Sequence, residues 1–254
     1  MMFHVEGAGQ GPDVLLVHGW GTHGGVWGDF GAGLALSARV TRVDLPGHGL
    51  SEAMPDFSLD RLADSLAQIC PAPVIAIGWS LGALAVLALA RRHASSVRGM
   101  VLFGATPRFV CAPDWPCAVT ETLLRAFAAD FERDYRATLS RFLALQLGAA
   151  HAERELLRRL RDSVLARTPS STAGLRAGLE LLVRTDLRPT LATLDVPALV
   201  VHGGRDRLTP PKAGAYLAAA LPRARWHEVA QAGHAPFLSH TADCLHLTRE
   251  MIHG

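Results

Sequence analysis

One serine in this chain has the neighbours that a hydrolytic nucleophile needs. Residues 78–82 read Gly-Trp-Ser-Leu-Gly and match the pattern G-x-S-x-G. The segment follows the apolar run 74–77 and precedes the helical pattern 81–93, which predicts a sharp strand–turn–helix connection. Ser80 would then stand at a helix N-terminus, where unpaired N–H groups favour negative charge. The alternative is a chance match in a chain with 24 glycines.

A serine hydroxyl needs a base near neutral pH, and the base needs a third group to orient it. A serine in this kind of turn is followed along the chain by the acid and then by the histidine. We predict that His234 is the base, because it lies in a loop of small residues just after the last predicted strand. The histidines that fit less well lie within predicted elements or before the acid: His93, His202, His227, His240 and His246.

The predicted acid is Asp206, which lies in a loop after the predicted strand 198–202. Loops at the carboxyl ends of parallel strands are where open sheets place their sites. Two competitors fit less well. Asp186 resembles a boundary residue or helix cap, and Asp44 precedes the nucleophile and would break the chain order. The predicted triad is therefore Ser80, Asp206 and His234.

A second loop could supply the donors that stabilise an oxyanion. Residues 18–21 read His-Gly-Trp-Gly directly after the first predicted strand. We predict that the backbone N–H groups of Trp20 and Leu81 form the oxyanion hole, each worth roughly 10²–10³ in rate. We assign His18 a structural role in this loop. The Trp20 indole would form one wall of an acyl pocket.

These side chains need a sheet to bring them together. Helical patterns at 59–69, 81–93 and 213–221 alternate with apolar runs, which indicates an open, mostly parallel sheet with helices on both faces. The predicted strands are 14–17, 40–43, 74–77, 97–103, 198–202 and 224–229.

One long segment breaks this alternation. Residues 107–185 contain helical patterns at 119–130, 135–147 and 152–166 but no convincing strand. We therefore predict an α/β core made of residues 1–106 and 186–254, with residues 107–185 inserted as a helical lid.

The composition is that of a globular protein of one core with an insertion: 254 residues, 49% hydrophobic and 19% charged. No apolar run reaches the roughly 18 residues that span a bilayer. Residues 1–9 do not resemble a signal peptide, and the four cysteines are widely spaced, so we expect a reduced, cytoplasmic protein. A net charge of +2 gives no indication of a nucleic-acid partner. We expect a monomer that needs no metal or organic cofactor.

With these motifs placed, the chain resembles the α/β-hydrolase superfamily over essentially its whole length. Residues 44–51, Asp-Leu-Pro-Gly-His-Gly-Leu-Ser, are similar to its D-x-x-G-x-G-x-S loop. Within the superfamily the chain is most similar to the family of pimeloyl-[acyl-carrier protein] methyl ester esterases of biotin synthesis. The segments that carry this resemblance are 16–21, 78–82, 141–146, 178–182, 186–188 and 234–240.

The resemblance implies a carboxylic ester hydrolase that converts pimeloyl-acyl-carrier-protein methyl ester to pimeloyl-acyl-carrier protein and methanol. Because the carrier protein is acidic, the resemblance favours docking through Arg141, Arg154 and Arg158, although an ordinary solvated helix face would look the same. The substrate pocket that it implies consists of Trp20, Ser80, Leu81, Phe142, Leu143, Ala144, Leu145, Gln146 and His234.

Three other functions stay open at this point. A broad short-chain carboxylesterase or a carbon–carbon bond hydrolase could use the same scaffold and triad. A non-catalytic ligand-binding member of the fold is a third possibility, which the complete predicted triad disfavours.

Overall fold

The computed structural model describes residues 3–70, 73–146, 155, 157–158, 161–162, 164–167 and 172–254. Within them, one seven-stranded sheet runs in the order β1-β3-β2-β4-β5-β6-β7. All neighbouring strands are parallel except β1 and β3, so the predicted mostly parallel α/β fold is confirmed. The strands are β1 (Val5–Ala8), β2 (Asp13–Val17), β3 (Arg39–Val43), β4 (Val74–Trp79), β5 (Val97–Phe103), β6 (Ala198–Gly203) and β7 (Ala224–Val229).

Helices connect and cover these strands. The pairs α2–α3 and α1–α9 pack together, and α3 and α9 both contact the sheet. None of the described helices is both long and apolar enough to cross a membrane. The helices are α1 (Gly28–Ala35), α2 (Leu59–Ile69), α3 (Leu81–Arg92), α4 (Glu121–Arg133), α5 (Tyr135–Gln146), α6 (Thr172–Arg184), α7 (Pro211–Ala220), α8 (Pro236–Ser239) and α9 (Thr241–His253).

The centre of the sheet is buried on both sides. Every residue of β4 and β6 is buried, and so is α3 from Leu81 to Ala90. Central parallel strands covered by helices form nearly continuous apolar runs, which is why the sequence reveals them. The edge strand β1 is exposed at three of its four positions, so no apolar pattern in the sequence predicts it.

The chain between β5 and β6 carries α4, α5 and α6, and residues 157–158, 161–162 and 164–165 are also helical. It leaves and rejoins the core at one place, where the Leu187 N–H donates to the Pro107 carbonyl at 3.0 Å. Arg108 and Asp186 pair beside it at 2.9 Å. These contacts lie at the predicted ends of the lid, but the division into core and lid stays a prediction.

Candidate active site

The predicted nucleophile occupies a strained turn between β4 and α3. Ser80 has φ 57° and ψ −116°, a left-handed conformation that favours glycine. Its N–H donates to the Phe103 carbonyl at 3.1 Å, which ties the turn to β5. A Cβ atom at Gly82 would lie 2.0 Å from the Val17 carbonyl oxygen, so only glycine fits there. The local G-x-S-x-G pattern thus corresponds to a close approach between the turn and β2.

The predicted base and acid meet across the loops that follow β7 and β6. The Nδ1 atom of His234 lies 2.8 Å from Oδ2 of Asp206, and both side chains are buried. Because a carboxylate only accepts, Nδ1 carries the hydrogen. Nε2 of His234 has no hydrogen-bond partner among the described residues, so its lone pair is available to accept a proton. The imidazole ring packs against Trp79, the residue before Ser80, with ring centroids 5.6 Å apart.

The Asp206 carboxylate is held as an anion. Burial by itself would raise the pKa of Asp206, but the charge of His234 and hydrogen bonds from His202 and His234 outweigh it and keep the pKa well below its usual range. The backbone N–H groups of Leu208 and Thr209 each donate to Oδ1 at 2.9 Å. The side chains of Thr209 and His202 contact Oδ2, and the sequence analysis assigned neither of them to the site.

A hydrogen-bond network fixes the loop that carries Trp20. The Gly19 carbonyl accepts from His18 Nδ1 at 2.7 Å and from the Thr22 hydroxyl at 2.9 Å. His18 Nε2 accepts from the Leu45 N–H at 2.8 Å, so Nδ1 carries the hydrogen, and burial lowers the pKa of His18 to about 3. The Gly19 carbonyl and the Trp20 N–H belong to the same trans peptide unit, so they point in opposite directions. The two hydrogen bonds that fix the Gly19 carbonyl therefore also fix the direction of the Trp20 N–H. The oxyanion roles of the Trp20 and Leu81 N–H groups stay predictions.

The Trp20 side chain joins this loop to the helical segment. Its indole N–H donates to the Leu175 carbonyl on α6 at 2.7 Å. Its ring also packs against Phe131 on α4, with centroids 4.8 Å apart. The core loop and two helices of the predicted lid are thus held together at the site.

A narrow apolar pocket that opens to solvent lies at Ser80. Apart from the serine hydroxyl its walls are almost entirely apolar, which suits an acyl chain. The walls come from core loops, from the end of β4 and from the predicted lid, where α4, α6 and Phe109 contribute. The lining residues are Gly19, Trp20, Trp79, Ser80, Phe109, Leu124, Phe127, Leu182 and Leu208.

The predicted pocket residues fall into three groups. Trp20 and Ser80 line the cavity, whereas Leu81 is buried at the start of α3 and His234 lies beside Trp79. On α5, Leu143 is buried and Ala144 is exposed, and neither is among the described lining residues. The side chains of the other predicted residues on α5 lie outside the described part of the chain: Phe142, Leu145 and Gln146.

Seven of the lining residues were not predicted to line the pocket: Gly19 and Trp79, which are neighbours of predicted residues, and five others. Phe109, Leu124, Phe127, Leu182 and Leu208 are apolar residues whose pattern in the sequence is that of an ordinary helix or loop core. Only their contacts across the cavity distinguish them from core residues.

The predicted docking arginines occupy different surroundings. Arg141 is exposed and donates to the Thr138 hydroxyl at 3.0 Å. Arg158 pairs with Glu155 at 2.8 Å and also lies 3.5 Å from Asp162. Arg154 lies outside the described residues. Docking through these arginines stays a prediction.

The two competing acids have other partners. Arg188 and Arg108 hold the Asp186 carboxylate, and the hydrogen bond from Arg188 is the main cause that lowers the pKa of Asp186 to about 2. Asp44 accepts from the backbone N–H groups of Gly24 and Leu50 at 2.7 and 2.9 Å. Both carboxylates thus stabilise loops.

Gly104, which the sequence analysis also missed, allows His234 to lie where it does. Gly104 has φ +50°, and a Cβ atom there would come within 2.5 Å of the His234 carbonyl oxygen and 2.9 Å of Nδ1.

We expect Gly104→Ala to lower kcat about tenfold to hundredfold, because it displaces the imidazole by part of an ångström. Steady-state hydrolysis of p-nitrophenyl acetate measures this. Gly7→Ala is the control, since its Cβ would meet nothing within 4 Å. Unchanged kcat in Gly104→Ala would contradict the prediction.

Comparisons with known proteins agree with this architecture. Residues 12–241 match the family model described as the alpha/beta hydrolase fold. The chain is 42% identical over 252 residues to the pimeloyl-[acyl-carrier protein] methyl ester esterase of Methylococcus capsulatus, covering 99% of each. It is 45% identical over 244 residues to the protein of that name from Xanthomonas oryzae, covering 93% of each.

Solved structures show the same fold. An esterase from Exiguobacterium antarcticum superimposes with a TM-score of 0.90 at 22% identity, covering 99% of this chain and 96% of that one. An enol-lactonase from Burkholderia xenovorans has a TM-score of 0.85 at 25% identity, with the same coverage.

Proposed function

This chain belongs to the α/β-hydrolase family and, within it, to the pimeloyl-[acyl-carrier protein] methyl ester esterases, and on that premise we propose that it hydrolyses the methyl ester of a pimeloyl group carried on acyl-carrier protein. The products are pimeloyl-acyl-carrier protein and methanol, in biotin synthesis. The observation that carries this proposal is the 42% identity to a protein of that name over 99% of both chains, core and predicted lid alike.

The proposed chemistry is serine ester hydrolysis in two steps. In the first, Ser80 Oγ attacks the ester carbonyl carbon while its proton moves to His234 Nε2. This proton transfer makes His234 an imidazolium, and Asp206 stabilises it through the 2.8 Å contact between Oδ2 and Nδ1. The oxyanion lies against the N–H groups of Trp20 and Leu81. When the intermediate collapses, the bond to the methoxy oxygen breaks, and methanol leaves with the proton from His234.

In the second step a water molecule gives a proton to His234 and attacks the acyl-enzyme carbonyl. The bond to Ser80 Oγ then breaks, and Oγ takes the proton back. The free carboxylic acid, still attached to its carrier, is released. No step of this scheme needs a metal or an organic cofactor.

The cavity at Ser80 supports an acyl substrate. A pimeloyl group presents a chain of methylene groups, which apolar walls such as Phe127 and Leu182 accommodate without burying an unpaired polar group. The alternative of a general short-chain carboxylesterase uses the same walls, so the two functions differ in the need for the carrier protein.

We further propose that acidic acyl-carrier protein docks on arginines of the predicted lid, namely Arg141, Arg154 and Arg158. Arg141 is the best of these to test, because it is exposed and has no carboxylate partner among the described residues, whereas Arg158 already pairs with Glu155. We place the enzyme in the cytoplasm as a monomer, without a nucleic-acid or membrane partner.

Rates with two substrates test the function and the docking surface together. We expect turnover of methyl-pimeloyl-acyl-carrier protein, and we expect Arg141→Glu to raise its KM about fivefold to tenfold without changing the KM for p-nitrophenyl acetate. Arg98→Glu is the control, because Arg98 is exposed at the amino end of β5, whereas Ser80 lies at the carboxyl ends of the strands. Equal effects of Arg141→Glu on both substrates would refute the docking surface.

Two outcomes decide between the proposed function and its alternative. Rescue of a biotin-requiring strain that lacks its esterase, together with turnover of the carrier-bound ester, supports the proposed function. Turnover of p-nitrophenyl esters alone would identify the chain as a broad carboxylesterase and overturn the proposal.

A further inference from the structure

The acid of the candidate site has more hydrogen-bond donors than a triad requires. Two backbone N–H groups donate to Oδ1 of Asp206, as described above. Oδ2 is contacted not only by His234 but also by the Thr209 hydroxyl at 2.7 Å and by His202 Nε2 at 3.2 Å. The two additional side chains share one oxygen with the base, so they act where the acid and base meet.

The Thr209 hydroxyl touches both members of the acid–base pair. Its Oγ1 lies 2.7 Å from Asp206 Oδ2, 3.0 Å from His234 Nδ1 and 3.2 Å from the Gly104 carbonyl oxygen. A hydroxyl has one hydrogen to donate, and the carboxylate is the nearest and the only charged acceptor of these. Thr209 is 1% exposed, so bulk water does not compete for this bond.

The backbone of Thr209 is itself held in place. His202 Nε2 lies 2.7 Å from the Thr209 carbonyl oxygen, which only accepts, so Nε2 carries the hydrogen. The opposite edge of this ring packs tightly against α7, because a Cβ atom at Gly214 would come within 2.3 Å of Nδ1. The ring also lies beside Trp226, with centroids 5.8 Å apart. His202 is therefore a buried, fixed donor that holds the Thr209 backbone.

We propose that Thr209 is a positioning residue for ester hydrolysis: its hydroxyl orients the Asp206 carboxylate so that Oδ2 faces Nδ1 of His234. Positive charge develops on the imidazole as Ser80 attacks, and Oδ2 is the atom that stabilises it. Without the hydroxyl, the two backbone donors still hold Oδ1, but Oδ2 keeps only the base His234 and the longer 3.2 Å contact with His202. The inference rests on the serine mechanism of the proposed function but not on the carrier-bound substrate.

The test compares Thr209→Val, which removes the hydroxyl at nearly constant volume, with Thr209→Ser, which keeps it. We expect Thr209→Val to lower kcat/KM for p-nitrophenyl acetate about tenfold to hundredfold, and Thr209→Ser to retain most of the activity. Thr248→Val is the matched control. Thr248 is also a buried threonine, but its hydroxyl has no hydrogen-bond partner in the described part of the chain and it lies on α9.

The pH profile provides a readout that a packing role would not move. In Thr209→Val the Asp206 carboxylate is less well aimed at Nδ1 and stabilises the imidazolium less, so the acidic limb of the pH–kcat/KM profile should move to lower pH. Thr209→Ser and Thr248→Val should keep the wild-type limb. Among the described residues, His202 is the titratable side chain that contacts the pair formed by Asp206 and His234. The charged neighbours of Asp206 in the chain, Arg205 and Arg207, are exposed.

Several results would overturn the inference. One is a Thr209→Val enzyme with wild-type kcat/KM and an unmoved acidic limb. Another is an equal loss in Thr209→Val and Thr209→Ser, which would assign the effect to packing. If Thr209→Val does not fold, Thr209→Ala replaces it in the same comparison. Failure of the wild-type enzyme on the carrier-bound ester, with normal hydrolysis of p-nitrophenyl acetate, would refute the proposed substrate and leave this comparison intact.

Discussion

Replacing Ser80 with alanine is expected to reduce ester turnover about 10⁴-fold to 10⁶-fold and to abolish labelling by an active-site serine phosphonate. Alanine removes the attacking oxygen, so no acyl-enzyme can form. The side chain is small, and the backbone anchor between the Ser80 N–H and the Phe103 carbonyl does not depend on the hydroxyl. The melting temperature is therefore expected to stay within a few degrees of wild type.

Mass spectrometry of the labelled protein and hydrolysis of p-nitrophenyl acetate measure this effect. Ser95→Ala is the matched control, because Ser95 is exposed in the 3₁₀ turn that follows α3, at the opposite end of that helix from Ser80. Residual labelling or activity in Ser80→Ala at the level of the Ser95→Ala control would remove Ser80 from the mechanism.

The second large effect is expected from Asp206→Asn, with a loss in kcat of about 10⁴-fold. The amide has no net charge to stabilise the imidazolium. It also presents an NH₂ group either to the donors on Oδ1 or to the ring N–H of His234, so one of these hydrogen bonds is lost. Because the pKa of Asp206 lies well below its usual range, the wild-type carboxylate is an anion throughout the neutral range, so titration of Asp206 itself does not alter the loss there.

Asp186→Asn is the control for this experiment, because Asp186 was the competing acid and its carboxylate binds Arg108 and Arg188 instead. We expect it to retain the wild-type kcat and to lose only a little stability, as is usual for partly exposed ion pairs. The assignment of the acid would be wrong if Asp186→Asn lost activity and Asp206→Asn kept it.

Much of this architecture could be predicted because it depends on local signals. The strands β4 and β6 are buried at every position, so they appear in the sequence as unbroken apolar runs, and the predicted fold is confirmed. The turn at Ser80 requires Gly82 only two residues away, so its pattern is contained in five consecutive residues. Chain order and loop position then selected His234 and Asp206, whose catalytic roles stay predictions.

What could not be predicted depends on contacts between distant segments. Leu182 and Phe109 line the cavity, but in the sequence they are indistinguishable from other apolar residues on covered surfaces. Thr209 meets His234 although 25 residues separate them, and Gly104 is needed only because His234 packs against it. The edge strand β1 is too exposed to show an apolar pattern. Each of these features becomes visible only when the fold brings its partners together.

The backbone conformation of Ser80 has a consequence for how this chain can change over time. A residue with a side chain at φ 57° costs the native state of the order of 1–2 kcal/mol, which glycine would avoid. Selection for thermal stability alone would therefore favour glycine at position 80 and eliminate the proposed nucleophile. Serine persists there only under selection for the reaction itself, so the rest of the fold must hold enough surplus stability to tolerate it.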